Sequence, residues 1–208
     1  MADLKALSQA IIKGDQMTAT KITQQAISEG VAPGTILEDG LIAGMNTIGV
    51  RFKANEVYIP EVLIAARAMK NAMAILEPKL VAAGVKPRGK ALMGTVQGDL
   101  HDIGKNLVVM MLKGAGFEVM DAGVDVSPDA FVAKVRDSGA QVVGLSALLT
   151  TTMPSMEKTI AAIREAGLKA KVIIGGAPVT QEYANKIGAD GYAPDAASAV
   201  DVAKSLLN

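Results

Sequence analysis

A chain of 208 residues that contains one histidine and no cysteine limits its own chemistry severely. The histidine, His101, lies in the segment Gln97-Gly98-Asp99-Leu100-His101-Asp102-Ile103-Gly104-Lys105-Asn106, which follows an apolar run. A lone loop imidazole is most often a solvated side chain, but its flanks change that reading. Asp99, two residues earlier, can take a hydrogen bond from one ring nitrogen, fixing the tautomer and making the other nitrogen more basic. Gly98 and Gly104 allow a bulky group to approach the backbone closely. One imidazole without thiolates makes a poor cage for a bare ion, which needs three or four protein ligands. It is sufficient for a metal already held in a macrocycle and lacking only an axial donor. The residues therefore point to a tetrapyrrole-type cofactor.

Two different rhythms position this loop. Up to about Gly84 the apolar residues recur at helical spacing. Leu4, Leu7, Ile11 and Ile12 mark a first helix, and Ile22, Ala26 and Ile27 a second after the break at Gly14-Asp15. Pro33 and Thr35 are placed to open a third helix through Ile36, Leu37, Leu41, Met45 and Ile48. A fourth starts at Pro60, whose missing N–H costs nothing at a first helical position, and Pro78 is expected to help end it. Four helices with short turns read as a small bundle. The stretch 84–89 then reads as a linker.

From Lys90 onward, short apolar runs alternate with amphipathic segments. The runs at 91–96, 118–124, 141–148, 171–175 and 190–193 predict five strands, with helices near 104–115, 128–138, 154–166, 180–187 and from about Ala196. Near-continuous apolar strands separated by helices indicate a parallel sheet covered on both faces. The expected class is α/β: an N-terminal four-helix bundle followed by a flavodoxin-like, Rossmann-type domain with a five-stranded parallel sheet. Such sheets bind ligands beyond the carboxyl ends of their strands, where the strand order reverses. The segments to read are thus the His101 loop, the stretch from Ser146 to Thr152, and Gly175-Gly176 with the residues that follow.

Composition narrows the field further. With 21 Lys+Arg against 21 Asp+Glu, the formal net charge is zero, so the basic footprint of a nucleic-acid binder is missing. The absence of cysteine excludes disulfides, zinc fingers, iron–sulfur clusters and Cys nucleophiles. No apolar stretch has the roughly 18–20 residues needed to span a bilayer. The start, MADLKALSQAIIKGD, makes a poor secretory leader, and a cytoplasmic protein is expected.

Asp99-x-His101-x-x-Gly104, then Ser146-x-Leu148, then Gly175-Gly176 resembles the cobalamin-binding signature of B12-dependent methyltransferases and mutases. The helical half, including the stretch from Phe52 to Glu61, resembles the cap domain of methionine synthase and of small corrinoid proteins in one-carbon methyltransferase systems. The resemblance covers essentially the whole chain, with residues 1–86 as the helical cap and 87–208 as the cobalamin-binding domain. It implies a cobalamin bound base-off/His-on, with His101 as the cobalt ligand and Asp99 as its hydrogen-bonded partner. Thr152 occupies the position of a serine that extends this relay in methionine synthase. It further implies that Gly98, Asp102, Ile103 and Gly104 flank the cofactor and that Ser146, Leu148 and Thr150 line a slot for the displaced base. Gly175 and Gly176 would pass the nucleotide tail, with Tyr192 and Ala193 bordering it. Phe52 and Ile59 match cap residues over the methyl group; Tyr58, Met69 and Met73 are further lid candidates, although a methionine stripe more often belongs to a bundle core.

The function the resemblance implies is that of a methyl carrier without catalysis of its own. Its partners would be a substrate-specific corrinoid methyltransferase, a second methyltransferase serving tetrahydrofolate or a thiol coenzyme, and a reductive activase. A cobalamin-dependent sensor uses the same cap and domain but generally needs an output module. A mutase subunit pairs the signature with a substrate barrel. A phosphoacceptor receiver needs an aspartate where Ser146 stands, and a flavin protein would want more stacking aromatics than three Phe and three Tyr.

Overall fold

The computed structural model describes residues 2–207. They form two units, one of residues 2–87 with 114–116 and one of 88–113 with 117–207.

In the first unit, α1 (Leu4–Lys13) is opened by Asp3, whose carboxylate accepts from the N–H groups of Lys5 and Ala6. It is closed by Gly14 in the left-handed conformation. Asp15 caps α2 (Gln16–Ser28) in the same way through the Thr18 N–H. The third predicted helix is built in three pieces: a turn α3 (Pro33–Thr35), a π-helical segment (Ile36–Ile42) and α4 (Ala43–Lys53). Ile36, Leu41, Ile42, Met45 and Ile48 are buried along this run. A Cβ on Gly44 would stand 2.7 Å from Cβ of Ile11, so the third helix lies against α1 at a distance only glycine permits.

The fourth helix, α5 (Ile59–Ala82), starts one residue before Pro60, with the Glu61 carboxylate accepting from the Tyr58 N–H. The expectation that Pro78 helps end it is corrected, because Pro78 lies inside the helix. Proline forfeits one hydrogen bond to the preceding turn. The turn beyond it is kept by Leu80, which is buried like Leu76 and anchors the end of α5 in the bundle.

The second unit is the parallel α/β domain. Its strands are β1 (Lys90–Val96), β2 (Glu118–Val126), β3 (Val142–Ser146), β4 (Lys171–Gly175) and β5 (Gly191–Ala193). Between and after them run α6 (Ile103–Gly114), α7 (Pro128–Ser138), α8 (Pro154–Glu165), α9 (Gln181–Lys186) and α10 (Ala196–Leu207). Leu92, Val96, Val143, Leu145, Val172 and Ile174 from the central strands pack with Phe131, Met156, Ile160 and Ile163 from the helices. This is the doubly wound pattern that continuous apolar strands require. The order is β2-β1-β3-β4-β5, all pairs parallel, so the direction of winding reverses between β1 and β3. The loops after those two strands are the ones the fold offers to a ligand.

Candidate functional site

The turn leaving β1 is closed by the Asp99 N–H donating to the Val96 carbonyl, with Gly98 at φ 87°, a conformation that favours glycine. It places Asp99 wholly inside while the neighbouring His101 side chain remains 51% exposed. Contacts from its own loop and from three residues of the loop after β3 converge on the Asp99 carboxylate. Oδ1 accepts from the His101 N–H at 3.1 Å and lies 2.7 Å from Nδ1 of the imidazole. Oδ2 accepts from the backbone N–H groups of Leu148 at 2.8 Å and Leu149 at 3.3 Å, and from the Thr152 hydroxyl at 2.7 Å.

Burial pushes the Asp99 carboxyl up, but the donors outweigh it. The N–H groups of Leu148 and His101, the Thr152 hydroxyl and the imidazole hold it well below the usual carboxylate range. An ionised carboxylate only accepts, so Nδ1 must carry the ring hydrogen of the neutral imidazole. Nε2 is then the basic nitrogen, on a side chain half open to solvent. Thr152, which could have capped the helix after β3, turns its one hydroxyl hydrogen to Asp99, with the Leu149 carbonyl 2.9 Å away as the competing acceptor. No side-chain cap is found at the start of α8.

The other expected site residues fall into three groups. Ser146 and Gly175 lie in one row at the carboxyl edge of the sheet: Thr95 of β1, Ser146 of β3, Gly175 of β4 and Ala193 of β5 are register partners in turn. Tyr192 precedes that row by one residue and is partly buried against the core. Glycine is demanded here by the sheet itself. A Cβ on Gly176 (φ 131°) would stand 1.9 Å from the Ala147 carbonyl oxygen, and one on Gly175 would stand 2.9 Å from that of Ala193. Around His101, in contrast, Asp102, Ile103, Gly104, Leu148 and Thr150 are exposed, and a Cβ on Gly104 would meet open space. The third group, Phe52 and Ile59 with Tyr58, Met69 and Met73, belongs to the helical unit. Ile59 and Tyr58 are exposed and Phe52 is half-buried, whereas Met69 is buried in the bundle.

Thr95 was not among the expected residues. Its buried hydroxyl donates to the His101 carbonyl at 2.8 Å and fixes the backbone that carries the ring. Within an apolar strand, a threonine gives no signal that its hydroxyl turns toward the following loop.

The donor set decides what the site can hold. Among the described residues there is no cluster of three or more His, Cys, Asp or Glu side chains able to cage an ion. A single oriented imidazole beside open space fits the axial position of a metal already held by a macrocycle.

Comparisons with known proteins identify the class of cofactor. Residues 89–201 match a family model described as a B12 binding domain, and residues 3–77 match a second model of the same description. A dimethylamine corrinoid protein of Methanosarcina acetivorans is 43% identical over the full length of both chains. A corrinoid protein of Desulfitobacterium hafniense is 41% identical over all of this chain and 98% of its own. Among solved structures, a cobalamin-binding protein from Desulfitobacterium hafniense is 33% identical with a TM-score of 0.83, covering 99% of both chains. The methanol:cobalamin methyltransferase complex MtaBC from Methanosarcina barkeri is 28% identical with a TM-score of 0.86, covering 98% of this chain and 79% of that one. The fold and site thus define a B12-binding protein. More particularly, the chain belongs to the corrinoid proteins of methyltransferase systems, and its cofactor is a cobalamin-type corrinoid.

Proposed function

We propose that this chain is a methyl carrier that holds its corrinoid base-off with His101 as the axial ligand and exchanges a methyl group between two methyltransferases. The observation that carries the reading is the Asp99–His101 pair at the reversal between β1 and β3, with Nδ1 tied down and the histidine side chain half open to solvent. When bound, the corrinoid supplies a cobalt atom able to accept and release a methyl group. The protein's part is to present a nitrogen donor that can attach and let go. Asp99 keeps the imidazole in one tautomer and orientation whether or not Nε2 is engaged. The N–H groups of Leu148 and His101 and the Thr152 hydroxyl keep Asp99 ionised, and Thr95 holds the backbone beneath the ring. The row Ser146–Gly175–Ala193 and the adjacent Gly176 supply the closely packed strand ends beside which the nucleotide tail would lie.

The names of the relatives support the partners. Proteins 43% and 40% identical are a dimethylamine and a trimethylamine corrinoid protein, which favours a methylated amine as donor. The donor-side partner is then a methylamine:corrinoid methyltransferase. The acceptor-side partner serves tetrahydrofolate or a thiol coenzyme, and a reductive activase restores carriers lost to oxidation. The test is to load the full chain with hydroxocobalamin, reduce it, and follow its absorption with methylamine, dimethylamine, trimethylamine or methanol methyltransferases. Methylation by one amine system with little by the methanol enzyme is expected. Failure to bind the corrinoid, or binding without methylation by any partner, would contradict the carrier role.

A further inference from the structure

The loop that carries His101 is gripped at both ends by carboxylates of a single strand, the edge strand β2. In its pairing with β1, β2 contains two irregularities. Met93 and Gly94 are consecutive on β1, yet their partners Asp121 and Gly123 are not; Gly94 and Val96 likewise face Gly123 and Val126. Each irregularity inserts one extra residue, and such bulges re-aim the side chains around them. The second contains Asp125, at φ 51°, a left-handed conformation uncommon outside glycine that aspartate and asparagine adopt more readily than other residues. Two hydrogen bonds hold it there: its Oδ1 accepts from the Gly98 N–H at 2.7 Å, and its own N–H donates to the Asp99 carbonyl at 3.0 Å. Asp125 therefore brackets the Gly98–Asp99 pair, bonding the N–H of the first and the carbonyl of the second, at the entry to the loop. At the exit, Lys105 in the first turn of α6 is 2% exposed at its side chain. Its ammonium reaches both oxygens of Asp121 at 2.7 and 2.6 Å and Oδ1 of Asn106 at 2.6 Å.

We propose that Asp125 and the Lys105–Asp121 pair are positioning residues for the axial histidine, clamping the 98–104 loop to β2 so that His101 meets cobalt without a cost in loop ordering. The proposal rests on the reading of His101 as the cobalt ligand. Neither group touches the imidazole, so each acts through the backbone on either side of it. An imidazole held in its binding geometry loses less freedom on coordination, and residues that orient metal ligands typically change affinity by about 10–100-fold.

The chemistry of Asp125 lets its two features be separated. Asp125→Asn keeps an acceptor oxygen and tolerates the left-handed backbone. Asp125→Gly relieves the backbone but removes the acceptor, and Asp125→Ala loses both. Lys105→Met fills the buried stem and leaves Asp121, which is 41% exposed, to solvent. Full-length variants would be measured in two ways, with thermal unfolding confirming the fold. Amide hydrogen exchange of residues 97–104 in the cofactor-free chain reads the clamp directly. The nitrogen splitting in the cobalt(II) spin-resonance spectrum and the Kd for hydroxocobalamin read its effect on the ligand. Asp125→Gly and Lys105→Met should speed exchange in the loop about tenfold or more and weaken binding by about 10–100-fold. Both should also show a smaller fraction of histidine-ligated cobalt, while Asp125→Asn stays near the parent. If Asp125→Gly, the variant least prone to misfold, matches the parent in loop exchange and in ligated fraction, the proposal is overturned. Absence of a protein nitrogen signal from the parent itself would instead count against His101 as ligand, and the exchange measurement would still decide whether the clamp exists.

Discussion

The Thr152 hydroxyl donates to Oδ2 of Asp99 at 2.7 Å, joining residues 53 positions apart in the chain. This bond links the loop after β3 to the loop after β1 and makes the carboxylate's environment a property of both. In Thr152→Val the shape is kept but a buried carboxylate loses a donor. Unfolding of the cofactor-free variant by urea should show a loss of about 1–3 kcal/mol. Thr152→Ser, retaining the hydroxyl, should recover most of it. Equal stability of the valine variant and the parent would mean that the Leu148 and Leu149 N–H groups suffice.

Gly176 and Gly104 should respond in opposite ways to the same added methyl group. Gly176→Ala puts a Cβ into the Ala147 carbonyl at a φ of 131°. Strain and overlap together cost about 3 kcal/mol or more. Thermal unfolding should register this whether or not a corrinoid is bound. Gly104→Ala meets nothing in the cofactor-free chain, and in the first turn of α6 it should leave stability unchanged or raise it by up to about 1 kcal/mol. Its effect should appear only in the corrinoid Kd, weakened roughly tenfold or more by crowding beside His101. Unimpaired binding by Gly104→Ala would place the corrinoid elsewhere.

These contrasts show what a sequence can display and what it hides. His101 and Asp99 were legible because both lie in one short loop after an apolar strand, and their hydrogen bond needs only local geometry. Ser146, Gly175 and Ala193 were legible as strand ends, since parallel strands align their carboxyl edges. Asp125, Lys105 and Thr95 were not. The roles of Asp125 and Lys105 depend on β2 lying beside β1 with two inserted residues, and neither strand order nor a bulge leaves a periodic mark. Thr95 was hidden because a hydroxyl in an apolar strand does not announce that it turns to the loop after it. The π-helical segment escaped for a related reason: Ile36, Leu37 and Leu41 satisfy helical spacing whether the turn is tight or wide. Pro78 misled because a proline forbids one hydrogen bond, whereas the burial of Leu80 decides whether the helix outlasts it.

Asp190 gives the fold a dependence on acidity that is separate from the cofactor site. Burial raises its carboxyl, but the Val172 N–H, Arg164 and Lys171 more than compensate and hold it below its ordinary value. The Val172 bond measures 2.7 Å, and the Asp190 N–H returns one to the Val172 carbonyl at 2.8 Å, so the side chain helps fasten β4 to the segment entering β5. A carboxyl depressed in the folded state stabilises above its unfolded pKa of about 3.9, and that contribution is lost as pH falls through the folded value. Asp190→Asn should therefore be less stable than the parent at pH 7 by about 1–3 kcal/mol. The gap should narrow below about pH 4. A gap independent of pH in denaturant melts would assign the effect to shape alone.

The central claim is that the imidazole of His101 is the axial donor to cobalt, and a chain with one histidine permits an unusually direct test. The protein would be grown with all histidine nitrogen replaced by nitrogen-15, loaded with unlabelled cobalamin, reduced to cobalt(II) and examined by spin resonance. If His101 is the ligand, each cobalt line, split into a triplet by ordinary nitrogen, becomes a doublet. Persistence of the triplet would show that the cofactor's own base still occupies the axial position, and the account given for Asp99, Thr152 and the clamp on β2 would lose its purpose.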